Sequence, residues 1–97
     1  MPDLANIVTL RAQTGKADLL GNALRKLIAL TRKEPGCAIC ELHQSSEDAQ
    51  TWMVYERWTG DDAFASHMQQ PHVADFLARV DVLVCEPPQV RPFHHHV

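Results

Sequence analysis

Four side chains that can move protons or hold an aromatic ligand lie within one short stretch of the sequence, namely His43, Glu56, Trp58 and His67. Histidine is the side chain that most readily exchanges a proton near neutral pH. Glu56 follows Val54 by two residues, so an alternating strand places it on an apolar face, where a carboxylate loses water and needs a partner. This pattern predicts a pocket in which His67 takes a proton and Glu56 orients the imidazole or anchors the ligand. His43 and His72 stay open as alternative proton acceptors.

Aromatic side chains around these residues predict walls for a planar ligand. The candidate substrate-binding residues are His43, Trp52, Trp58, Phe64, Phe76 and Arg91. The plainer alternative is that the aromatic residues form the core and that His67 is an ordinary hydrogen-bonded histidine. In that alternative Glu56 forms an ion pair with Arg11, with Arg91 or with the partner subunit's Arg57.

Signals for metals and cofactors are weak. Cys37 and Cys40 have C-x-x-C spacing, but residues three apart on a strand point to opposite faces, so we expect two small apolar side chains. His67 and His72 are five residues apart, whereas ligand pairs on a helix are three or four apart. We find no P-loop and no G-x-G-x-x-G sequence. The sequence therefore predicts neither a metal site nor a flavin or nucleotide cofactor.

Hydrophobic periodicity and turn residues predict the elements that position these side chains. We expect strands over residues 6–12, 38–44, 51–58 and 82–93. We expect a helix from residue 17 that Glu34-Pro35-Gly36 ends, a second helix to about residue 69, and a third from Pro71 to Val80. Thr59 is the expected N-cap of the second helix. Pro87, Pro88 and Pro92 lack ladder donors, so we expect the last strand to be bulged or to lie at an edge of the sheet.

This order of elements is the split β-α-β-β-α-β arrangement of a ferredoxin-like α+β fold, in a single domain over residues 1–97. Both faces of the sheet carry apolar residues, since Met53 and Tyr55 lie opposite the face of Trp52 and Val54. Helices in this topology cover only one face. The second face therefore predicts a homodimer.

Composition excludes several classes of protein. A net charge of −3 with no basic cluster argues against nucleic acid as a partner. No apolar run reaches the roughly 20 residues that a membrane span needs. The first five residues do not resemble a signal peptide, and three cysteines fit a reducing compartment, so we expect a cytoplasmic protein.

Five short motifs together resemble the antibiotic biosynthesis monooxygenase (ABM) family over about residues 5–93. They are Glu34-Pro-Gly-Cys37, Leu42-His43, Tyr55-Glu-Arg-Trp58, Ala63-Phe-Ala-Ser-His67 and Pro71-His72. The resemblance implies a dimeric α+β barrel with a pocket between sheet and helices in each protomer. His43, Glu56, Trp58 and His67 match positions that recur in the quinol-type branch.

The resemblance implies a cofactor-independent monooxygenase that uses O2 and a quinol- or anthrone-like aromatic substrate. Once deprotonated, such a substrate itself reduces oxygen, so the protein need only bind, dry and deprotonate it. Haem-degrading relatives differ, because His67 stands where they have a tryptophan and Phe76 falls near their haem ligand. Two alternatives stay open: an isomerase of a small carbonyl compound, phosphorylated and bound by Arg11, Arg57 or Arg91, and a non-catalytic ligand-binding dimer.

Overall fold

A computed structural model describes residues 2–97, in which three helices pack on one face of a four-stranded antiparallel sheet. The elements are β1 (Leu4–Arg11), α1 (Ala17–Thr31), β2 (Cys37–Gln44), β3 (Thr51–Trp58), α2 (Asp61–His67), α3 (Pro71–Val80) and β4 (Gln89–His94). The strand order β2-β3-β1-β4 confirms the predicted ferredoxin-like fold. The predicted single domain also includes Met1, which lies outside the described residues. No helix in residues 2–97 is both long enough and apolar enough to cross a membrane.

The central strand β3 alternates as its sequence predicts. Trp52, Val54, Glu56 and Trp58 are buried and face the helices, whereas the residues between them are only half-buried. From α1, Leu20, Leu24 and Ile28 pack into the same core. Gly21 allows this close approach, because a Cβ at that position would lie 2.5 Å from the Trp52 indole ring.

Several predicted boundaries were wrong, among them the start of β1, which is Leu4 rather than residue 6. Helix α2 ends at His67 rather than residue 69, and its N-cap is Gly60 rather than Thr59. Strand β4 begins at Gln89 rather than Val82. Pro87 and Pro88 have no N–H to donate, and before them only an isolated bridge between Ala12 and Val84 forms. The predicted edge position of β4 is confirmed.

The second face of the sheet, here called the open face, has no helix over it among residues 2–97. Strand pairing places on it Ile7, Ile39, Met53, Tyr55, Arg57, Arg91 and Phe93. Phe93 is 53% exposed, and Ile7, Met53 and Tyr55 are half-buried. The two-sided apolar pattern inferred from the sequence is therefore present in the structure.

A β-bulge changes the geometry of the two cysteines in β2. Cys37 is paired with Trp58 and Cys40 with Glu56, because an extra residue is accommodated between Cys37 and Ile39. Trp58 and Glu56 share a face, so both cysteines point toward the helices. The prediction that they point to opposite faces was wrong for this reason. Burial, followed by the nearby Glu56 carboxylate, raises the pKa of Cys40 to about 12, and the same two causes raise the pKa of Cys37.

These shifts predict selective thiol chemistry. With a pKa near 12, about one Cys40 thiol in 10,000 is ionised at pH 8, and burial shields it further. In the native protein, iodoacetamide should label exposed Cys85 rapidly and Cys40 only after denaturation. Peptide mass spectrometry over time checks this, and labelling of Cys40 as fast as that of Cys85 would contradict it.

Gly36 controls how closely the turn after α1 approaches α2. A Cβ at Gly36 would collide with the Cβ of Ala63, and the Gly36 carbonyl accepts a hydrogen bond of 3.0 Å from the Thr59 N–H. The turn is thereby held against the start of α2. A side chain at this position has no room unless the helix moves or Ala63 becomes smaller.

We predict that Gly36→Ala lowers the free energy of unfolding by about 1–3 kcal/mol, as overpacking does. Ala63→Gly alone should cost about 1 kcal/mol through helix propensity. The double variant should lose less free energy of unfolding than the sum of the two single losses, because the new methyl group then has space. Urea unfolding at one protein concentration measures all three, and strictly additive losses would show that the two positions do not contact each other.

Candidate functional site

One carboxylate and two imidazoles meet where the turn after α1 contacts α2 and α3. The Oε2 atom of Glu34 lies 2.7 Å from Nδ1 of His67 and 2.8 Å from Nε2 of His72. The side chains of Glu34, His67 and His72 are 10%, 8% and 14% exposed. We call these three residues the Glu34 cluster.

Local chain geometry brings the cluster together. Helix α1 ends at Thr31, and the Glu34 N–H then donates to the Thr31 carbonyl at 3.0 Å, which holds Glu34 in a tight turn. His67 is the last residue of α2, and Pro71 begins α3, as proline favours. His72 is therefore in the first turn of a new helix.

The spacing argument against convergence of His67 and His72 was wrong. It applied the rotation of one continuous helix, but the chain leaves the helix between His67 and Pro71. The two rings lie 6.1 Å apart between centroids and share Glu34 as their partner. In the Glu34 cluster, each side chain offers one possible ligand atom, and these three atoms all lie within 4.8 Å of one another. This spacing could hold a metal ion.

The shared carboxylate determines which nitrogen of each imidazole ring carries the hydrogen. An ionised carboxylate only accepts hydrogen bonds, so Nδ1 of His67 and Nε2 of His72 each donate an N–H to Glu34. The opposite ring nitrogens, Nε2 of His67 and Nδ1 of His72, then carry lone pairs in the neutral imidazoles. A carboxylate behind an imidazole also stabilises the imidazolium that forms when the ring takes a proton.

Aromatic rings enclose His67. The Trp58 ring lies 4.6 Å from the imidazole between centroids, and the Phe64 ring lies 6.0 Å from it. Trp58 is fully buried at the end of β3, and Phe64 lies one turn before His67 on α2. His67 is thus fixed between the sheet and the helix, whereas His72 lies closer to the surface.

Glu56 has a different partner from the one predicted. Its Oε1 accepts a hydrogen bond of 3.0 Å from the side-chain amide of buried Asn6, its neighbour on β1. His67 is oriented by Glu34 instead. Neither Arg11 nor Arg91 pairs with Glu56 in residues 2–97, because Arg11 contacts Asp48 and Arg91 contacts Gln89.

Two buried polar atoms beside these residues have no protein partner in the described chain, the Oδ1 of Asn6 and the Nε1 of Trp58. One accepts and the other donates, and their residues are diagonal neighbours on the same face of the sheet. Buried polar atoms are nearly always satisfied by protein or water. A water molecule or a hydroxyl group between them would satisfy both.

A groove between α1 and α3 opens beside the cluster, with a volume of about 170 Å³. Its apolar wall includes Leu27, Leu30 and Phe76, and its polar residues are Lys26, His72, Asp75 and Arg79. A larger cleft of about 440 Å³ lies between α1 and the edge strand β2, lined by Arg25, Arg32 and Trp52 among others. We favour the smaller groove as the functional one, because it includes a residue of the Glu34 cluster.

The predicted site residues do not form a single pocket. His67, Trp58 and Phe64 come together, Phe76 lines the groove, and Trp52 lines the separate cleft. His43 and Arg91 lie on the open face, because they are paired with Met53 and Ile7. The sheet therefore separates His43 and Arg91 from the Glu34 cluster.

Sequence reasoning missed Glu34 and Asn6 as site residues, and it raised His72 only as one of three possible proton acceptors. Glu34 stood in a motif that was interpreted as a helix stop and as part of the family resemblance, although a carboxylate beside Pro35-Gly36 is held in a fixed turn. The predicted helix start at Pro71 already placed His72 on a separate helix, and the rule for ligand spacing within one helix was applied across that boundary. Asn6 gave no signal beyond its place in an apolar strand.

Solved structures similar to this chain share the whole fold. Protein PA3566 from Pseudomonas aeruginosa is 28% identical with a TM-score of 0.94, over 100% of this chain and 97% of that one. Protein Rv0793 from Mycobacterium tuberculosis is 25% identical with a TM-score of 0.89, over 94% and 92%. A solved antibiotic biosynthesis monooxygenase, 19% identical, has a TM-score of 0.89 over 97% and 99%. No curated protein matches this chain significantly.

The sequence model of the antibiotic biosynthesis monooxygenase family matches residues 4–79, from β1 to the last turn of α3. The matched range contains Glu34, His67 and His72, together with Trp58 and Asn6. It also covers all five sequence motifs that resembled this family. The chain belongs to the antibiotic biosynthesis monooxygenase family.

Proposed function

We propose that this protein is a cofactor-independent monooxygenase of a quinol-like aromatic substrate, with the Glu34 cluster as its proton acceptor. The observation that supports the proposal is the pair of short hydrogen bonds, 2.7 and 2.8 Å, from two imidazoles to one buried carboxylate. This arrangement resembles the orienting carboxylate and basic imidazole of acyl-transfer enzymes, used here for deprotonation alone. Membership of the family supports the reaction class.

Of the three histidines that the sequence leaves open as proton acceptor, we select His72 rather than His67, which the sequence favoured. A base must reach the proton that it removes, and His72 lines the groove whereas His67 is enclosed by Trp58 and Phe64. His72 therefore accepts the hydroxyl proton at Nδ1, and Glu34 stabilises the resulting imidazolium. His67 is a positioning residue, because it holds Glu34 from the other side.

The chemistry balances with O2 as the only oxidant. Loss of the hydroxyl proton to His72 gives a phenolate, which passes one electron to O2. The two radicals combine to form a carbon–oxygen bond at the ring, the O–O bond then breaks, and water leaves. Quinol plus O2 thus becomes hydroxyquinone plus water. The positive charges of Lys26 and Arg79 at the groove favour the phenolate, and its apolar wall lowers the water content.

The alternative of an isomerase of a small phosphorylated carbonyl compound draws support from the same two cations, Lys26 and Arg79. They replace the predicted anion site, because Arg11, Arg57 and Arg91 are on the open face. A base beside an anion site suits proton abstraction next to a carbonyl group. Oxygen uptake distinguishes the two functions, since isomerisation consumes none.

We predict that His72→Ala lowers kcat/KM for quinol oxidation by about 10²-fold or more, because a positioned base contributes about 10²–10⁴-fold. Glu34→Gln should also lower it, by about tenfold or more, because an amide cannot stabilise the imidazolium. Oxygen uptake with a panel of substituted quinols gives both values. Melting curves should show that each variant is folded at the assay temperature.

Glu41→Gln is the matched control. Glu41 also contacts a histidine, His43, at 3.2 Å, but both side chains are exposed on the open face. This variant should keep wild-type turnover if the effect of Glu34→Gln is specific to the cluster. Normal turnover in His72→Ala combined with a large loss in His67→Ala would contradict the groove assignment and make His67 the base.

We also propose that the protein works as a cytoplasmic homodimer joined through its open face. Ile7, Met53, Tyr55 and Phe93 on that face are apolar or aromatic and have no helix over them in residues 2–97. A second copy would cover this surface symmetrically. The Glu34 cluster is on the opposite side of the sheet and would stay accessible.

The dimer should bury more than about 1,000 Å² of total surface, the usual minimum for a specific interface. Phe93→Asp should weaken it, because a charge would be desolvated at the contact. Light scattering at micromolar concentration should report twice the chain mass for the wild type and a shift toward monomer for the variant. A stable wild-type monomer would contradict the proposal.

A further inference from the structure

We infer that the Glu34 cluster is also a binding site for a zinc-class divalent cation, and that occupation of this site stops the proton transfer. The ligands are Oε2 of Glu34, Nδ1 of His67 and Nε2 of His72, all within 4.8 Å of one another. Two imidazoles and one carboxylate form a typical donor set for Zn²⁺ or Co²⁺ with a fourth position open to water.

The two nitrogen–oxygen distances are close to those between the ligands of a coordinated ion, and the two nitrogens lie within 4.8 Å of each other. Ligand atoms about 2.0–2.1 Å from a tetrahedral ion lie about 3.3–3.4 Å from each other. The two nitrogens are now 2.7 and 2.8 Å from the Glu34 oxygen, so each pair must open by about half an ångström. Glu34 is in a turn and can adjust through its side-chain torsions, while His67 and His72 are at the adjoining ends of two helices.

Charge also favours a cation at this position. Glu34 is about nine-tenths buried, and in residues 2–97 its ion-pair partners are the two histidines rather than a lysine or arginine. With both imidazoles neutral, the cluster carries one negative charge in a partly dry environment. A buried charge of this kind needs a counter-charge. A divalent ion would supply it and keep all three hydrogen-bonding atoms in use.

Metal binding and proton transfer exclude each other on the same rings. In the metal-free protein, Nε2 of His72 carries the ring hydrogen. A metal ion can bind Nε2 only after this hydrogen is lost from Nε2, and the neutral ring then carries its hydrogen on Nδ1. Nδ1 then carries a hydrogen and cannot accept one from the substrate. Bound Zn²⁺ should therefore inhibit the oxygenase reversibly, a consequence that rests on the proposed function, whereas metal binding itself does not.

The binding test uses Co²⁺, whose visible d–d bands report its ligands. The full-length chain first has His94, His95 and His96 replaced by alanine, because three adjacent histidines could chelate metal at the C-terminus. Titration of this background should show one Co²⁺ per chain. His72→Gln and Glu34→Gln should each weaken binding by at least about tenfold, since even the loss of a residue behind a ligand costs about 10–100-fold.

His43→Ala is the matched control for binding. His43 also has a glutamate 3.2 Å away but no third ligand, and its loss should leave Co²⁺ affinity unchanged. Equal affinity in the background, His72→Gln and Glu34→Gln proteins would overturn the site. Intense thiolate-to-cobalt absorption would also overturn it, because such absorption would show that Cys37 and Cys40 bind the ion instead.

The inhibition test adds Zn²⁺ to the same background protein during oxygen uptake. Turnover should fall as the site fills and return with a chelator. Unchanged or increased turnover at saturating Zn²⁺ would overturn the inhibitory role. If no quinol is oxidised at all, the proposed function fails, but the cobalt titration still decides whether the metal site exists.

Discussion

The buried carboxylate of Glu34 is the constraint on which the functional region depends. A carboxylate with little access to water is stable only if its oxygens accept hydrogen bonds or meet a positive charge. Here both short contacts of Oε2 are to imidazoles, from His67 on α2 and His72 on α3. One atom therefore joins the turn after α1 to the two later helices, and it also decides which nitrogen of each ring is free for chemistry.

The three residues meet because helical structure is interrupted after α1 and again between α2 and α3. Pro35 and Gly36 follow α1 and prevent the helix from continuing. Gly36 also lets the turn contact Ala63 at the start of α2. The interruption before Pro71 then rotates His72 toward the same point as His67. Trp58 fixes the His67 ring from the sheet side, and the adjacent hydrogen bond between Asn6 and Glu56 joins β1 to β3 in the same layer.

The sequence was sufficient for the parts of the structure that depend on periodicity. The alternation of β3, the apolar stripe of α1 and the edge position of β4 were all predicted, since burial selects residue types at regular intervals. The functional site was harder to predict from the sequence, because it depends on irregular backbone geometry. The bulge at Cys37 reversed one face, and the break before Pro71 brought together two histidines whose spacing argued against it. The Glu34 contact spans 33 and 38 residues, and no local pattern encodes such a distance.

One arrangement of three side chains can thus exist in two chemical states, a proton-accepting state with Glu34 as partner of both rings and a metal-bound state with the same atoms as ligands. The proton-accepting state requires that Glu34 receives an N–H from Nδ1 of His67, which is the less common tautomer of histidine in water. Long-range ¹⁵N–¹H correlation spectra of the metal-free protein in alkaline buffer measure this directly. The account predicts a hydrogen on Nδ1 of His67 and on Nε2 of His72, with the His67 tautomer shifting toward Nε2–H in Glu34→Gln. An unprotonated Nδ1 of His67 in the wild type would contradict the account.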